Sequence, residues 1–423
     1  MSCYICHSYN NIHQKKFFLH KFYDTLIIVN KIFLSLLILF FTSGFSYAED
    51  AIHLEAKKEI EAEDNVESEF SIFESFDWDK DDDGKIDDDT LMGKIINKDI
   101  TRTDVPTFLL KEELTYRYKK GPVSKIQYFG AYRGNLSGLW NSGDYDTEYN
   151  IDTLQVGAIG KFKNTKTDFK IGFNPLPKND LNYMQNFIAD AYIVNNNIPH
   201  HRVVIGYSRN QIGKEGGSSS YILPFVTRSQ IARNFGSTRA LGVRLVGDYS
   251  LMDYSMAFNS SDRYFRTPFA GPEFTGWINI KPFGKTDGRY GKLVLGGGLN
   301  AGHNKTDYTV GSVYVGYKYK KLWTNFEYGI ADGYNGTRVS TNKAEGFNYT
   351  LGYKINPHLQ LIARYDQFDP NRDIANDQRR EYTAGVNWFI KGQSLRVILN
   401  YIFCDNQNMD DSHRIILGTQ FVL

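Results

Sequence analysis

The chain has 423 residues, which is enough for two or three small domains or for one large β architecture. Its net charge of +1 conceals three regions of different sign, so the total excludes little by itself. Four Lys against one Asp give +3 to residues 1–48, and eighteen acidic residues against four Lys give −14 to residues 49–89. Residues 90–423 therefore carry +12, and an acidic segment precedes a basic body.

Residues 1–48 have the composition of a secretory signal peptide. Lys31 is followed by the apolar run "IFLSLLILFF" and then by "SYA", which ends at Ala48. The apolar run is too short to cross a bilayer, and small residues precede the expected cleavage site. We expect the mature chain to begin at Glu49. Because Cys3 and Cys6 would leave with the signal, only Cys404 remains and no internal disulfide is expected.

Residues 49–104 form an acidic arm that we expect in the periplasm. Val66, Phe70 and Phe73 recur at the spacing of a short amphipathic helix. The stretch "DKDDDGKIDDDT", residues 79–90, then resembles an EF-hand loop, with Gly84 at the sharp turn. The ligands to one Ca²⁺ would be Asp79, Asp81, Asp83, Lys85 through its carbonyl, Asp87 and Thr90.

The EF-hand resemblance fails at position 12 of the loop. Thr90 cannot supply the bidentate carboxylate that Glu supplies there, so we expect weak calcium binding. The alternative is a solvated acidic linker without a bound cation. Regulatory calcium sensors usually contain paired EF-hands, and only one such loop occurs in this arm. We therefore expect the arm to act as a structural calcium clip or as a spacer between the barrel and the cell wall.

Residues 105–423 alternate apolar and polar side chains. In "LRVILNYIFC", which begins at Leu395, the apolar residues share one face while Arg396, Asn400 and Cys404 share the other. "YTAGVNWFI" and "LQLIARYDQF" repeat this pattern, and turn sequences such as "KINPH" and "IKGQS" separate such runs. No run of eighteen apolar residues occurs in this region, so it predicts strands and no transmembrane helix.

Strands of this kind fit either a soluble β-sandwich or propeller or a membrane barrel. The export signal, 29 Tyr and 29 Phe favour the barrel, because aromatic girdles lie at both membrane interfaces of such proteins. The length accommodates about sixteen strands. We therefore predict an all-β chain, a transmembrane antiparallel β-barrel, with its last residue, Leu423, facing lipid.

Several phrases in order resemble the phosphate-selective porin O and P family. They include "RVVIGYSRN", "PFVTRSQIARNFGSTRALGVRLVG", "NYTLGYKINPHLQLIARYDQFDPN" and "EYTAGVNWFIKGQSLRVILNYIF". The resemblance runs from about Thr107 to Leu423. It implies a sixteen-stranded outer-membrane barrel of a Gram-negative bacterium, commonly a homotrimer, with a loop folded inward and with Arg and Lys residues that guide anions.

Residues 202–245 are rich in basic residues: they contain seven Lys and Arg residues and one acidic residue, Glu215. Residues 210–238 are too long for a hairpin turn and could fold inward. Strand parity places Arg202, Arg244, Arg364 and Arg396 towards the lumen, while Arg239 falls out of phase at a strand end. The candidate pore residues are Arg202, Arg209, Lys214, Arg228, Arg233, Arg244, Arg364 and Arg396. The alternative is that these are solvated rim charges that bind lipopolysaccharide.

These features predict a porin for passive diffusion of small solutes, with a preference for anions such as phosphate. The alternative is a structural or tethering barrel whose arm binds calcium or the cell wall. No His of the mature chain lies in a recognisable nucleophile or metal setting, so no enzymatic activity is expected. Expected partners are outer-membrane lipids and lipopolysaccharide, two further copies of the chain, small anions and peptidoglycan, but no nucleic acid.

Overall fold

The computed structural model describes residues 108–176, 187–263, 269–286, 288–336, 338–407 and 410–423. The predicted signal peptide, the acidic arm and its loop at residues 79–90 lie outside these ranges. Among the described residues, no helix has the length and apolar character needed to cross a bilayer.

Seventeen strands account for most of the described chain. They are β1 (Thr115–Arg117), β2 (Val123–Asn141), β3 (Asp144–Phe162), β4 (Thr167–Phe173), β5 (Ile188–Asn195), β6 (His201–Arg209), β7 (Arg239–Asp248), β8 (Met252–Ser260), β9 (Pro272–Ile280), β10 (Lys292–Asn304), β11 (Thr306–Tyr319), β12 (Leu322–Asn335), β13 (Val339–Asn356), β14 (Leu359–Asp369), β15 (Arg379–Lys391), β16 (Leu395–Asn406) and β17 (Ser412–Val422).

Strands β2 to β17 close into an antiparallel barrel of sixteen strands. Each pairs with the next along the chain, and β17 returns to pair with β2 from Ser412 opposite Asn141 to Val422 opposite Ala131. Closure leaves no unpaired sheet edge, which is the condition for a sheet to stand in a bilayer. The predicted fold and the strand number are confirmed.

Strand β1 pairs with the first part of β2, next to the part of β2 that pairs with β17. It pairs with residues 125–127 of β2, and the N–H of Leu109 donates to the carbonyl of Val422 at 3.2 Å. Phe108 packs against Phe129 among the buried residues of this part of the barrel. We call the end of the barrel where β2 begins and β17 finishes the terminal end, and the opposite one the far end.

Connections differ between the two ends. At the terminal end they hold two to five residues, apart from residues 281–291. At the far end they range from Lys305 alone to the 29 residues 210–238. The long connections are therefore concentrated at the far end. The tightest far-end hairpins form because Ser142, Gly143 and Lys305 take up positive φ, which tight hairpin turns require.

The outer face of the barrel is apolar and rich in aromatic rings. On β16, Leu399 and Tyr401 are exposed while Arg396 and Asn400 are buried, as the alternation predicts. One row of outward residues consists of direct cross-strand partners from β12 to β3. The row is Phe326, Tyr349, Tyr365, Tyr382, Phe403, His413, Trp140 and Tyr145. Such neighbours stabilise a sheet through ring contacts, and this exposed surface suits lipid.

Candidate functional site: the loop folded into the barrel

Residues 210–238 join β6 to β7 and contain two short helices and a 3-10 turn. The helices are α1 (Lys214–Gly217) and α2 (Gln230–Phe235), and the turn is Ser220–Ile222. The side chain of Ser229 accepts a hydrogen bond from the N–H of Ala232 and so caps α2. The sequence predicted a long loop here and did not predict these helices.

Apolar side chains hold this loop against the inner wall. Phe235 contacts Tyr334 and Phe368 with ring centroids 5.1 and 5.6 Å away, and Ile231 lies in the same buried cluster. Val226 packs with inward residues of β16 and β17 in a second cluster. Because these partners all point into the barrel, the loop is folded inward, as its length suggested.

Two carboxylates of the wall accept hydrogen bonds from the loop main chain. Glu327 on β12 accepts from the N–H groups of Lys214 at 2.6 Å and Glu215 at 3.1 Å. Asp366 on β14 accepts from the N–H of Gln230 at 2.7 Å. The first N–H groups of a helix have no partner within the helix, so a carboxylate is a favourable neighbour.

A polar row on β16, β17 and β2 binds loop carbonyls. Arg396, Gln420 and Arg133 are direct cross-strand neighbours. Arg396 donates to the carbonyls of Leu223 at 2.6 Å and Tyr221 at 3.3 Å, and Gln420 donates to that of Tyr221 at 2.8 Å. Arg133 donates to Ser220, Phe225 and Val226. These side chains fix the middle of the loop to the wall.

Arg364, on β14, is also enclosed by the loop. It donates to the carbonyl of Thr227 at 3.0 Å and lies over the ring of Phe225, 4.7 Å from its centroid. Glu215 and Asp366 each approach it at 3.7 Å. Arg364, Arg396 and Arg244 have the predicted inward direction, but all three are buried. For Arg364 and Arg396 the visible role is to hold the loop.

Arg228 is a basic loop residue that lies within electrostatic range of two further arginines, Arg133 and Arg239. It donates to the carbonyls of Glu215 and, at 2.8 Å, Ser218. Burial lowers the pKa of Arg228 to about 10, against the opposing effect of Glu215, and the positive charges of Arg133 and Arg239 contribute to the lowering. Arg228 is therefore charged at neutral pH and has like charges around it.

The wall formed by β4 to β7 carries a second group of charges centred on Asp190. Arg239 contacts this carboxylate at 2.8 Å and Lys170 at 3.4 Å, and Gln155 donates to it at 3.0 Å. Arg209 lies within electrostatic range of Asp190. Strand alternation would direct Arg239 away from the lumen, as predicted. Because Arg239 is the first residue of β7, its side chain nevertheless reaches Asp190 on the inner face. We call Lys170, Arg209, Arg228 and Arg239 the cationic band.

The remaining predicted pore residues are dispersed. Arg244 contacts Asn210 at 3.3 Å, and Arg202 faces inward on β6 opposite Val246. The ammonium group of Lys214 lies 5.4 Å from the ring centroid of Tyr314. Arg233 forms a 2.7 Å salt bridge with Glu381. The structure thus brings Arg209 and Arg228 into the band. Arg244 also lies within electrostatic range of Asp190, whereas Arg202, Lys214 and Arg233 lie apart from the band.

Sequence reasoning did not select Arg133, Lys170, Asp190, Glu327 or Asp366. Their inward direction follows from strand alternation, so parity could have placed them on the inner face. Nothing in the alternation indicates which part of the wall a loop will cover. The predicted calcium ligands, Asp79, Asp81, Asp83, Lys85, Asp87 and Thr90, lie outside the described residues, so that site stays a prediction.

Comparison with known proteins agrees with this architecture. Residues 299–423 match the family model described as "Phosphate-selective porin O and P". No curated protein sequence matches the chain. Among solved structures, the anion-selective porin from Comamonas acidovorans superposes with a TM-score of 0.53 at 11% identity, over 70% of this chain and 99% of that chain.

Two further porin structures give the same result. Pseudomonas putida OprB has a TM-score of 0.54 at 10% identity, over 70% of this chain and 94% of that chain. Salmonella typhi OmpF has a TM-score of 0.51 at 14% identity, over 72% and 99%. At such identities the likeness shows the fold, and the family match adds the assignment of the C-terminal part. The chain therefore has the fold of outer-membrane porins, and its residues 299–423 match the model of the phosphate-selective porin O and P family.

Proposed function

We propose that this porin passes small solutes by diffusion and favours anions at the cationic band. The observation that carries the proposal is the pair of cations on the wall, Arg239 and Lys170, which lie 2.8 and 3.4 Å from Asp190, with Arg228 of the inward loop within electrostatic range of Arg239. Because the loop occupies part of the barrel interior and carries Arg228, a permeating ion would pass close to these side chains. Positive charge in a narrow lumen with low-dielectric walls attracts anions and repels cations.

The charge of the band supports a preference for anions. Its four cations outnumber the carboxylates around them: Asp190, which contacts Arg239 and Lys170, and Glu215 and Glu327, which lie within electrostatic range of Arg228. Arg side chains also suit phosphate, since a guanidinium can donate two parallel hydrogen bonds to an oxyanion. The solute class that fits is therefore small inorganic or organic anions, with phosphate as the first to test.

The test is reconstitution of the mature chain in planar lipid bilayers under a KCl gradient. We expect conducting steps. We also expect the zero-current potential to have the same sign as the equilibrium potential of chloride. Arg228→Gln and Lys170→Gln should each move this potential towards the potassium side. Arg380→Gln, which removes an outward-facing charge paired with Asp405 at 3.3 Å, is the matched control and should not.

Two outcomes would contradict the proposal. Cation selectivity of the unmodified porin would refute the role of the band, and a complete absence of conducting steps would favour a tethering barrel. Competition between phosphate and chloride then addresses the solute. Millimolar phosphate should reduce the chloride current of the unmodified porin and affect Arg228→Gln less.

The homotrimer and contacts with lipopolysaccharide and peptidoglycan are part of the same proposal. They follow from the family resemblance and from the exposed apolar outer face, which needs lipid or another copy to cover it. Mass measurement of the detergent-extracted porin should give three copies. A monomeric mass that persists in native membranes would exclude the trimer.

A further inference from the structure

The two ends of the barrel carry exposed charges of opposite sign. At the terminal end the exposed cations are Arg117, Lys119, Lys120, Lys166, Lys285, Arg289, Lys320 and Lys321, and Glu112 is the one described carboxylate that is exposed. At the far end, exposed carboxylates outnumber exposed cations; they include Asp144, Asp146, Glu148, Asp410 and Asp411. The exposed positive charge of the barrel is thus concentrated at the terminal end.

The lysines of two adjacent turns at the terminal end form one surface patch. The N–H of Lys163 donates to the carbonyl of Pro122 at 2.8 Å, which joins the β3–β4 turn to the β1–β2 turn. An open pocket there is lined by Ser124, Lys161, Lys163, Lys166 and Asn197. We define the lysine patch as Lys119, Lys120, Lys161, Lys163 and Lys166. No described carboxylate forms a salt bridge with any of them, and Asp168, the cross-strand partner of Lys161, lies within electrostatic range of that lysine.

We propose that the acidic segment 67–89 of the same chain docks on the lysine patch. This segment has eleven Asp and Glu residues against two Lys, so it carries −9. It lies upstream of Phe108, which packs beside Phe129 at the terminal end. The surface and the segment are therefore complementary in charge and are joined through the end of the barrel where the patch lies.

The connecting chain is long enough for this contact. Residues 90–107 could extend over about 60 Å. Sixteen strands about 4.8 Å apart, tilted by about 40°, give a barrel roughly 30 Å across, so the segment can reach any point of the rim. A tether of this length also keeps the local concentration of the segment near the millimolar range, where modest charge attraction suffices for docking.

Docking of this kind depends on salt and does not depend on the anion preference of the pore. The Debye length falls from about 10 Å at 0.1 M salt to about 3 Å at 1 M, and the contact should weaken over that range. The docked segment would neutralise the lysine patch and place carboxylates beside the terminal mouth. The proposal therefore stands or falls separately from the selectivity measured in bilayers.

Carbodiimide cross-linking of the mature chain in neutral detergent provides the test. The reagent joins a carboxylate to a lysine amine as an amide with loss of water, so it reports direct contact. Peptide mapping should find links from Asp or Glu residues of 67–89 to lysines of the patch at 0.05 M salt and almost none at 1 M. A mixture of isotopically light and heavy chains should show that the links lie within one copy.

Charge reversal supplies the matched comparison. Lys163→Glu with Lys166→Glu should reduce links to the remaining patch lysines by about tenfold, since two attractions become repulsions. Lys305→Glu with Lys343→Glu changes the same charge among exposed residues of the far end and should leave the links intact. Equal yields in both variants would overturn the proposal, as would links found only between copies. Loss of the links in vesicles that contain phosphatidylglycerol would show that the patch binds anionic lipid in a membrane, which also overturns it.

Discussion

The carboxylate of Asp366, on β14, accepts a 2.7 Å hydrogen bond from the N–H of Gln230, the first residue of α2. The two residues are 136 positions apart, and Asp366 is fully buried. Glu327 meets α1 in the same manner at Lys214. The inward loop is therefore held by wall carboxylates at the start of each helix, by arginines along its middle and by apolar packing.

Replacing Asp366 tests whether these carboxylates set the position of the loop. Asp366→Leu leaves the N–H of Gln230 without its acceptor and removes one of the two carboxylates that approach Arg364 at 3.7 Å, which should cost about 1–3 kcal/mol of unfolding free energy. We also expect noisier single-channel current. Asp366→Asn keeps an acceptor oxygen and should be milder. Unfolding in urea, followed by the gel shift of the folded barrel, gives the measurement, and normal stability with quiet current in Asp366→Leu would contradict this role.

A substitution of Arg396 tests whether this residue holds the loop in place or guides anions. Arg396→Met removes the donors to the carbonyls of Tyr221 and Leu223, so the middle of the loop should become cleavable by protease in the folded barrel. Because Arg396 is buried beneath the loop, the zero-current potential should change less than in Arg228→Gln. Arg380→Met on the outer face is the control for loss of one guanidinium. An effect on selectivity that exceeds that of Arg228→Gln would place Arg396 in the anion path.

The buried pair of Arg263 and Glu273 should be important for stability at the far end. The carboxylate of Glu273 accepts from Arg263 at 2.9 Å, from Asn210 at 2.9 Å and from the hydroxyl of Tyr308 at 2.7 Å. Arg263→Met should cost about 3–5 kcal/mol, because it leaves a buried carboxylate without its cation. The double variant Arg263→Met with Glu273→Leu should cost less than the sum of the single changes. Additive costs in a double-mutant cycle would show that the two charges are not coupled.

Calcium binding by residues 79–90 stays a prediction with a direct test. We expect a change in Trp78 fluorescence of the mature chain at roughly millimolar calcium, because the loop has alternating carboxylates but Thr90 at position 12. Trp78→Phe identifies the signal among the five Trp residues of the chain. Asp81→Asn with Asp83→Asn should abolish the change. A flat titration of the unmodified chain would favour a linker without a bound cation.

Much of the barrel could be read from the sequence because strand alternation is a local property. The faces of β14, β15 and β16 follow from the period of two, and so does the inward direction of Arg244, Arg364 and Arg396. The inward fold of residues 210–238 follows from their excess length between two strands. None of these inferences requires knowledge of which strands become neighbours across the barrel.

The candidate site was harder to predict because it depends on contacts between distant residues. Whether an inward arginine meets water or a loop carbonyl is decided by the part of the wall that the loop covers. Arg396 and Arg133 donate to loop carbonyls, while Arg239 forms a salt bridge with Asp190 on the wall. An inward direction alone therefore overestimated how many arginines are available to a passing ion.

The sequence by itself determined the all-β architecture and the inner and outer faces, since these follow from short-range periodicity and composition, and its length indicated about sixteen strands. Only the tertiary structure decided which charges converge. Closure brings β17 to β2, so that Gln420 and Arg133 become neighbours, and the folded loop places Arg228 near Arg239. Electrostatic interaction depends on distance in space and on burial, and strand periodicity specifies neither.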